Sequence, residues 1–131
     1  GLQGLQHRFV PYNGGIGQEQ LSWLQRELSA SDACAEKVVI LSHIGLVPRS
    51  ETESCLLWNY QEVQRVCAAS HSLVLVLAGH AHSGGYLQDH SGVHHVTIQS
   101  PLEVKGDTTA FGTVSVYAER VVIEGEGAVP S

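Results

Sequence analysis

The sequence predicts an α/β domain, a mixed β-sheet flanked by α-helices, on three observations. Two unbroken apolar runs, Val38-Val39-Ile40-Leu41 and Leu73-Val74-Leu75-Val76-Leu77-Ala78, are separated by a loop and a helical pattern, the order of a βαβ crossover joining parallel strands. Beyond residue 90 the pattern changes to shorter strands with polar breaks. The chain has 131 residues, 43% of them hydrophobic. That is one domain's worth, long enough to bury about two-thirds of its unfolded surface.

Taken in order, residues 1–12 have no clean period and read as a loop or as a strand cut off from its partners. Asn13-Gly14-Gly15-Ile16-Gly17 is turn chemistry, and Leu21, Leu24 and Leu28 then keep helical spacing beside Trp23, which predicts a helix over about 18–29. Ser29 to Glu36 is small and polar, a loop. The run from Val38 to Leu41 reads as a strand buried on both faces that stops at Ser42-His43. Gly45, Pro48 and the polar run 49–54 mark a surface loop. Asn59 with Glu62 three residues later forms a capping box ahead of Val63, Val66 and Cys67, a second helix over about 60–70. The strand 73–78 ends at Gly79-His80-Ala81-His82-Ser83-Gly84-Gly85. Later strands are predicted at about 93–98, 111–117 and 120–125, the last two a hairpin joined at Ala118-Glu119-Arg120. No repeat or internal boundary divides residues 1–131, which read as a single domain.

Composition narrows the function. Thirteen acids against seven Lys and Arg give a net charge of -6, which repels a phosphate backbone and argues against nucleic acid as a partner. A phosphorylated small molecule remains open if metal ions supply the positive charge. No apolar stretch nears the roughly 20 residues of a membrane span, so no membrane is expected. Three cysteines without Cys-x-x-Cys spacing point to a reducing, cytoplasmic setting. The chain contains no Met and opens without an initiator or a signal segment, so it reads as a piece of a longer product.

Eight histidines outnumber Lys and Arg together, and three of them sit where chemistry belongs. His43 follows one buried strand, and His80 and His82 follow the other. Ligand sites in open α/β sheets lie at that carboxyl edge. Neutral imidazole binds divalent ions, and the i, i+2 spacing within a glycine-flanked turn lets both rings reach one side. The competing reading is that each histidine is a lone polar cap on a strand end, an even choice for His43 and a poor one for Gly-His-Ala-His. His94 and His95 alternate on a strand, so at most one faces inward. His7, His71 and His90 read as surface residues.

Gly79-His80-Ala81-His82 with the upstream Ser42-His43 resembles the last two metal-binding motifs of the calcineurin-like metallophosphoesterases. Several further segments extend the likeness: Asn13-Gly14-Gly15, Gln18 to Leu24, Glu36 to Ile40, Cys55-Leu56-Leu57-Trp58-Asn59-Tyr60, Gly84-Gly85-Tyr86, Gly92 to Val96 and Ala110 to Val114. Together they are similar to one branch, the manganese-dependent ADP-ribose/CDP-alcohol diphosphatases. The resemblance covers nearly all of the chain from about residue 12. It implies the C-terminal half of a metallophosphoesterase sandwich, cytoplasmic and monomeric when complete.

The resemblance further implies a two-metal centre in which His43 and His80 bind one ion and His82 the other. The ions would be Mn²⁺, with Mg²⁺, Zn²⁺ or Fe as alternatives. The substrates would be nucleotide diphosphates such as ADP-ribose, CDP-choline and CDP-glycerol. The family's opening Asp motif, bridging Gly-Asp motif and Asn-His pair do not occur, so this chain alone is expected to be inactive. Asp32, Asp89 and Asp107 are not recruited as ligands. Cys55, Trp58 and Tyr60 could line the nucleotide pocket, with core packing the alternative for Trp58 and Tyr60. Tyr86 could stack on a base or pack under its Gly-Gly turn. Asn13-Gly14-Gly15 could approach a phosphate through backbone amides, but a glycine turn before a helix is more often only a turn.

Three rivals stand beside this reading. A truncated, non-catalytic module would act by binding a partner, and the absent Asp and Asn-His motifs favour it for these 131 residues. A cyclic-nucleotide phosphodiesterase is opposed by the Cys55 to Tyr60 segment. A single-zinc hydrolase built on His43, His80 and His82 would need a general base. A half sandwich would also expose a strand edge and an apolar face, which predicts aggregation or pairing.

Overall fold

In a computed structural model, which describes residues 1–51, 53–106 and 108–129, the two apolar runs become neighbouring parallel strands. These are β1 (Val38–Ser42) and β2 (Leu73–Ala78), with Val39 opposite Leu75 and Ser42 opposite Ala78. Helix α1 (Gln18–Ala33) precedes β1, and helix α2 (Tyr60–Ala68) forms the crossover between the strands. Strand β3 (Gly85–Gln88) and strand β4 (His94–Thr97) complete a four-stranded mixed sheet of order β1-β2-β4-β3, with β4 parallel to β2 and antiparallel to β3. Strands β5 (Ala110–Val116) and β6 (Val121–Gly127) pair antiparallel as a separate two-stranded sheet. Residues 4–8 form a short 3-10 turn. Asp107 and Thr52 lie outside the described residues.

The core lies between the two helices and one face of the larger sheet. Leu21, Leu24 and Leu28 of α1 meet Tyr60, Val63 and Cys67 of α2 and Leu73 and Val76 of β2, with Leu56 fully buried among them. On the opposite sheet face the β5–β6 hairpin leaves a groove of about 600 Å³, lined by Val39, Val74, Tyr86, His94, Val96 and Tyr117 among others.

Four expectations are corrected. Helix α1 runs four residues beyond 29, because Asp32 finds partners across the fold: its Oδ1 accepts from Ser70 Oγ (3.0 Å) and from the amides of His71 (2.9 Å) and Ser72 (2.7 Å). The helix then closes with Ala35 at φ +54, Ala35 N–H donating to Asp32 O and Glu36 N–H to Ser31 O, a Schellman cap with Ala where Gly is usual. Strand β1 is not buried on both faces. Val38 and Ile40 pack on the core, while Leu41 is 78% exposed, because β1 is an edge strand with helices on one side only.

Asn59 makes no capping bond, which removes the capping box. Its amide is drawn to Ile16, accepting from Ile16 N (3.0 Å) and donating to Ile16 O (2.9 Å), and it also donates to Glu62 Oε2 (2.8 Å). Helix α2 ends at Ala68. Strand β3 was not foreseen, since four residues beside two glycines carry no readable alternation. The strand at 73–78, the parallel pair and the C-terminal hairpin agree with the sequence reading.

Burial, and then the charge of Asp89, push the Cys67 thiol up to about 11. A raised folded-state pKa contributes stability that is complete below the unfolded value near 9 and is lost as pH rises through the folded value. The protein is therefore expected to lose up to about 3 kcal/mol between these limits through this group. Urea titrations of wild type and Cys67→Ala across that window test it: parallel pH slopes would show that Cys67 does not carry the effect.

Candidate metal centre

Because β1 and β2 are parallel and in register from Ser42 to Ala78, the residues that follow them emerge at the same edge. The ladder continues one step past the strands, with Gly79 N–H donating to His43 O (3.1 Å). This brings the His43 and His80 rings to 5.0 Å between centroids, edge to face at 64°.

His80 then occupies the left-handed region at φ +63, while Ala81 N–H donates across it to Gly79 O (2.7 Å). That is the rarer and strained form of γ-turn, costing about 1–3 kcal/mol, and such strain concentrates at functional sites. Its effect is to turn the His80 side chain sharply out of the strand direction. His80 Nε2 lies 2.7 Å from Oδ1 of Asn13, and the Tyr12 ring stands 5.9 Å away.

His82 lies at the far side of the turn. Its Nδ1 is 2.9 Å from Glu103 Oε1, and both side chains are about half exposed. Glu103 is carried by a 3-10 turn (Pro101–Glu103) that Ser100 caps through the Leu102 amide and anchors through Ser100 N–H to His82 O.

Burial first, and then the neighbouring His43 and His82, hold the His80 imidazole below its usual pKa. Neutral imidazole is the form that ligates metals. The donor set is thus chemically suited to a divalent first-row cation. It is a partial set: among the described residues no group of three His, Cys, Asp or Glu side chains could hold a metal ion. His43 and His80 are brought together, and His82 faces Glu103.

The turn is held from outside by Arg49. Its Nη1 donates to the Gly84 carbonyl and its Nε to Glu53 Oε2 (3.1 Å), while Glu53 Oε1 accepts the Cys55 amide (3.2 Å). The His-bearing turn and the segment beginning at Cys55 are therefore bolted to one ion pair. Gly84 sits at φ +65, and a Cβ there would stand 3.0 Å from Gln99 N and 3.1 Å from Thr97 O, so glycine is required.

The candidate substrate residues separate. Cys55 is half-buried, and Trp58 is exposed in a loop tied to the first glycine turn by Trp58 N–H to Gly14 O (2.8 Å) and Arg8 Nε to Trp58 O (2.9 Å). Tyr60 is buried in the core with the Arg8 guanidinium over its ring, and so follows the packing alternative. Tyr86 is exposed, stacks on His94 and bonds its Nδ1 (3.0 Å), and lines the groove beneath the hairpin, whose lining includes none of the three histidines. Of the remaining histidines, His95 is buried and pairs with Asp89 Oδ2 (2.9 Å), while His7, His71 and His90 are exposed.

Sequence reasoning missed Asn13, Arg49, Glu53 and Glu103. The only signal for any of them was the position of Asn13 before Gly14-Gly15. That turn does more than reverse the chain, since its carbonyl and side-chain groups hold both Trp58 and His80.

No protein-family model matches the chain. It is similar to curated proteins named manganese-dependent ADP-ribose/CDP-alcohol diphosphatase: 46% identical over 129 residues to that of Bos taurus and 44% identical over 129 residues to that of Homo sapiens. In Arabidopsis thaliana the figure is 36% over 125 residues. The match to the Bos taurus protein covers 98% of this chain, and the chain spans 38% of that relative's length. A crystal structure of a dimetal phosphatase from Danio rerio superposes with a TM-score of 0.93 at 38% identity, over 98% of this chain and 41% of the other. The fold is that of part of a dimetal phosphatase.

Proposed function

Because the chain is homologous along nearly its whole length to manganese-dependent ADP-ribose/CDP-alcohol diphosphatases, we propose that it contributes to a two-cation centre that hydrolyses nucleotide diphosphates. The substrates are ADP-ribose and CDP-alcohols such as CDP-choline and CDP-glycerol. Cleavage of the pyrophosphate bond gives AMP or CMP plus a phosphorylated sugar or alcohol. The observation that carries this reading is the meeting of His43 and His80, 5.0 Å apart, at the carboxyl edge of parallel strands.

His43 and His80 hold one cation and His82 the other, and the remaining donors come from the part of the protein that lies beyond this chain. Mn²⁺ is the expected ion from the relatives' names, with Mg²⁺, Zn²⁺ or Fe compatible with the ligand types. When bound, the cations supply Lewis acidity to water and to the diphosphate oxygens.

The chain's own part is to present the imidazoles of His43 and His80 at one edge and to hold the Cys55–Trp58 loop beside them through Arg49 and Glu53. Cys55 and Trp58 face the nucleotide, and Tyr86 lies further off. The protein acts in the cytoplasm, consistent with three free cysteines, and works as a monomer. No helix among the described residues is long and apolar enough to cross a membrane.

The test is hydrolysis of ADP-ribose and CDP-choline with Mn²⁺, comparing this chain with a form extended upstream through its coding region. Turnover in the longer form alone is the expected result. Silence in both would sink the proposal in favour of a non-catalytic module that binds a partner.

A further inference from the structure

We infer that Asn13 is the positioning residue that fixes the tautomer and ring orientation of His80, leaving Nδ1 as the nitrogen offered to a cation. The inference rests on the reading of His80 as a metal ligand.

Asn13 is a polar side chain only 7% exposed, and both its amide nitrogen and its oxygen are engaged. Its Nδ2 donates to the Arg8 carbonyl (2.8 Å) and to the Ser54 carbonyl. Both are acceptors with no hydrogen to give, so the amide nitrogen must face them and Oδ1 must face His80. The way the amide points is decided by its neighbours.

Oδ1 in turn can only accept. The His80 nitrogen 2.7 Å from it, Nε2, therefore carries the hydrogen. A neutral imidazole has one, so Nδ1 is bare and has its lone pair free.

The arrangement also explains why an asparagine stands there. Aspartate would keep the acceptor for His80 but set a charge against two carbonyl oxygens. Alanine would leave the Ser54 carbonyl and the imidazole without this partner, and the Arg8 carbonyl with the Val10 amide alone. The same amide joins the 3-10 turn through Arg8, the residue before Cys55 through Ser54, and the strained γ-turn through His80, so three loops take their spacing from one side chain. Partners that orient a metal-binding histidine through its second ring nitrogen typically contribute 10–100-fold to metal affinity.

Long-range ¹H–¹⁵N spectra of the full-length, metal-free protein labelled in histidine, recorded above neutral pH, read the tautomer directly. Wild type is expected to carry the His80 hydrogen on Nε2. In Asn13→Ala the tautomers should mix, and Mn²⁺ binding followed by electron paramagnetic resonance should weaken about 10–100-fold. A wild-type hydrogen on Nδ1 overturns the inference, and this measurement stands even if the variant does not fold. So does a folded Asn13→Ala protein, verified by its melting curve, with unchanged tautomer and unchanged Mn²⁺ affinity. A wild-type protein that shows Nε2–H yet takes up no Mn²⁺ supports the Asn13–His80 assignment and overturns the diphosphatase reading it serves.

Discussion

Replacing His80 with Ala in the full-length protein is expected to abolish Mn²⁺-dependent hydrolysis, by more than the roughly 100-fold that losing a supporting partner of a ligand costs. The reasons are local. His80 packs edge to face on His43, is held below its usual pKa by burial and by its neighbours, and is bonded to Asn13. Steady-state rates against Mn²⁺ concentration are the measurement, with Cys34→Ala, on the exposed end of α1, as a control that leaves them unchanged.

His80→Gly sharpens the comparison. A glycine at φ +63 relieves the left-handed strain, about 1–2 kcal/mol, so this variant should melt higher than His80→Ala while being equally inactive. Turnover within a few-fold of wild type in either variant would remove His80 from the metal centre. An activity lost together with the folded state would assign it to structure.

Leu56→Ala is expected to lower stability by about 2–5 kcal/mol, the range for truncating a fully buried leucine. Leu56 is 0% exposed, and it lies in a one-step parallel bridge to Gly45, so it packs the core and also pins the chain between His43 and Trp58. Urea denaturation of wild type and variant gives the difference. A loss under about 1 kcal/mol would mean that the surrounding Leu21, Leu57, Tyr60 and Val63 collapse into the space. Because Leu56 adjoins Cys55, the variant should also raise KM more than it lowers kcat if that loop faces the nucleotide.

What could be read from the chain was local. Apolar runs named β1 and β2, the spacing of Leu21, Leu24 and Leu28 named α1, and an apolar-turn-apolar segment named the hairpin, because each signal lies within about fifteen residues. His43, His80 and His82 were legible for the same reason, as polar endings on buried strands. The contacts that shape the site were not, since they join residues 67 apart for Asn13 and His80, 35 apart for Arg49 and Gly84, and 21 apart for His82 and Glu103. Asn59 shows how such contacts override a local rule. Its spacing to Glu62 is that of a capping box, but Ile16, 43 residues away, takes its amide instead. Leu41 illustrates the converse, an apolar residue in an apolar run whose exposure depends on what lies beside the sheet.

The hairpin of β5 and β6 shares no strand ladder with the larger sheet, and a lone two-stranded ribbon is marginal in water. It faces the sheet across the groove that Tyr86 and His94 line and across a second cavity between Ile123 and the segments around Gly84 and Thr97. The molecule therefore consists of two cooperative units of unequal strength. The hairpin should open and reclose many times for each unfolding of β1, β2 and the helices, so that its backbone amides trade hydrogen with solvent while those of β2 stay protected. Each such opening bares the apolar floor beneath it. The working lifetime of the chain in solution is then governed by the fraying of its last two strands more than by the strength of its core.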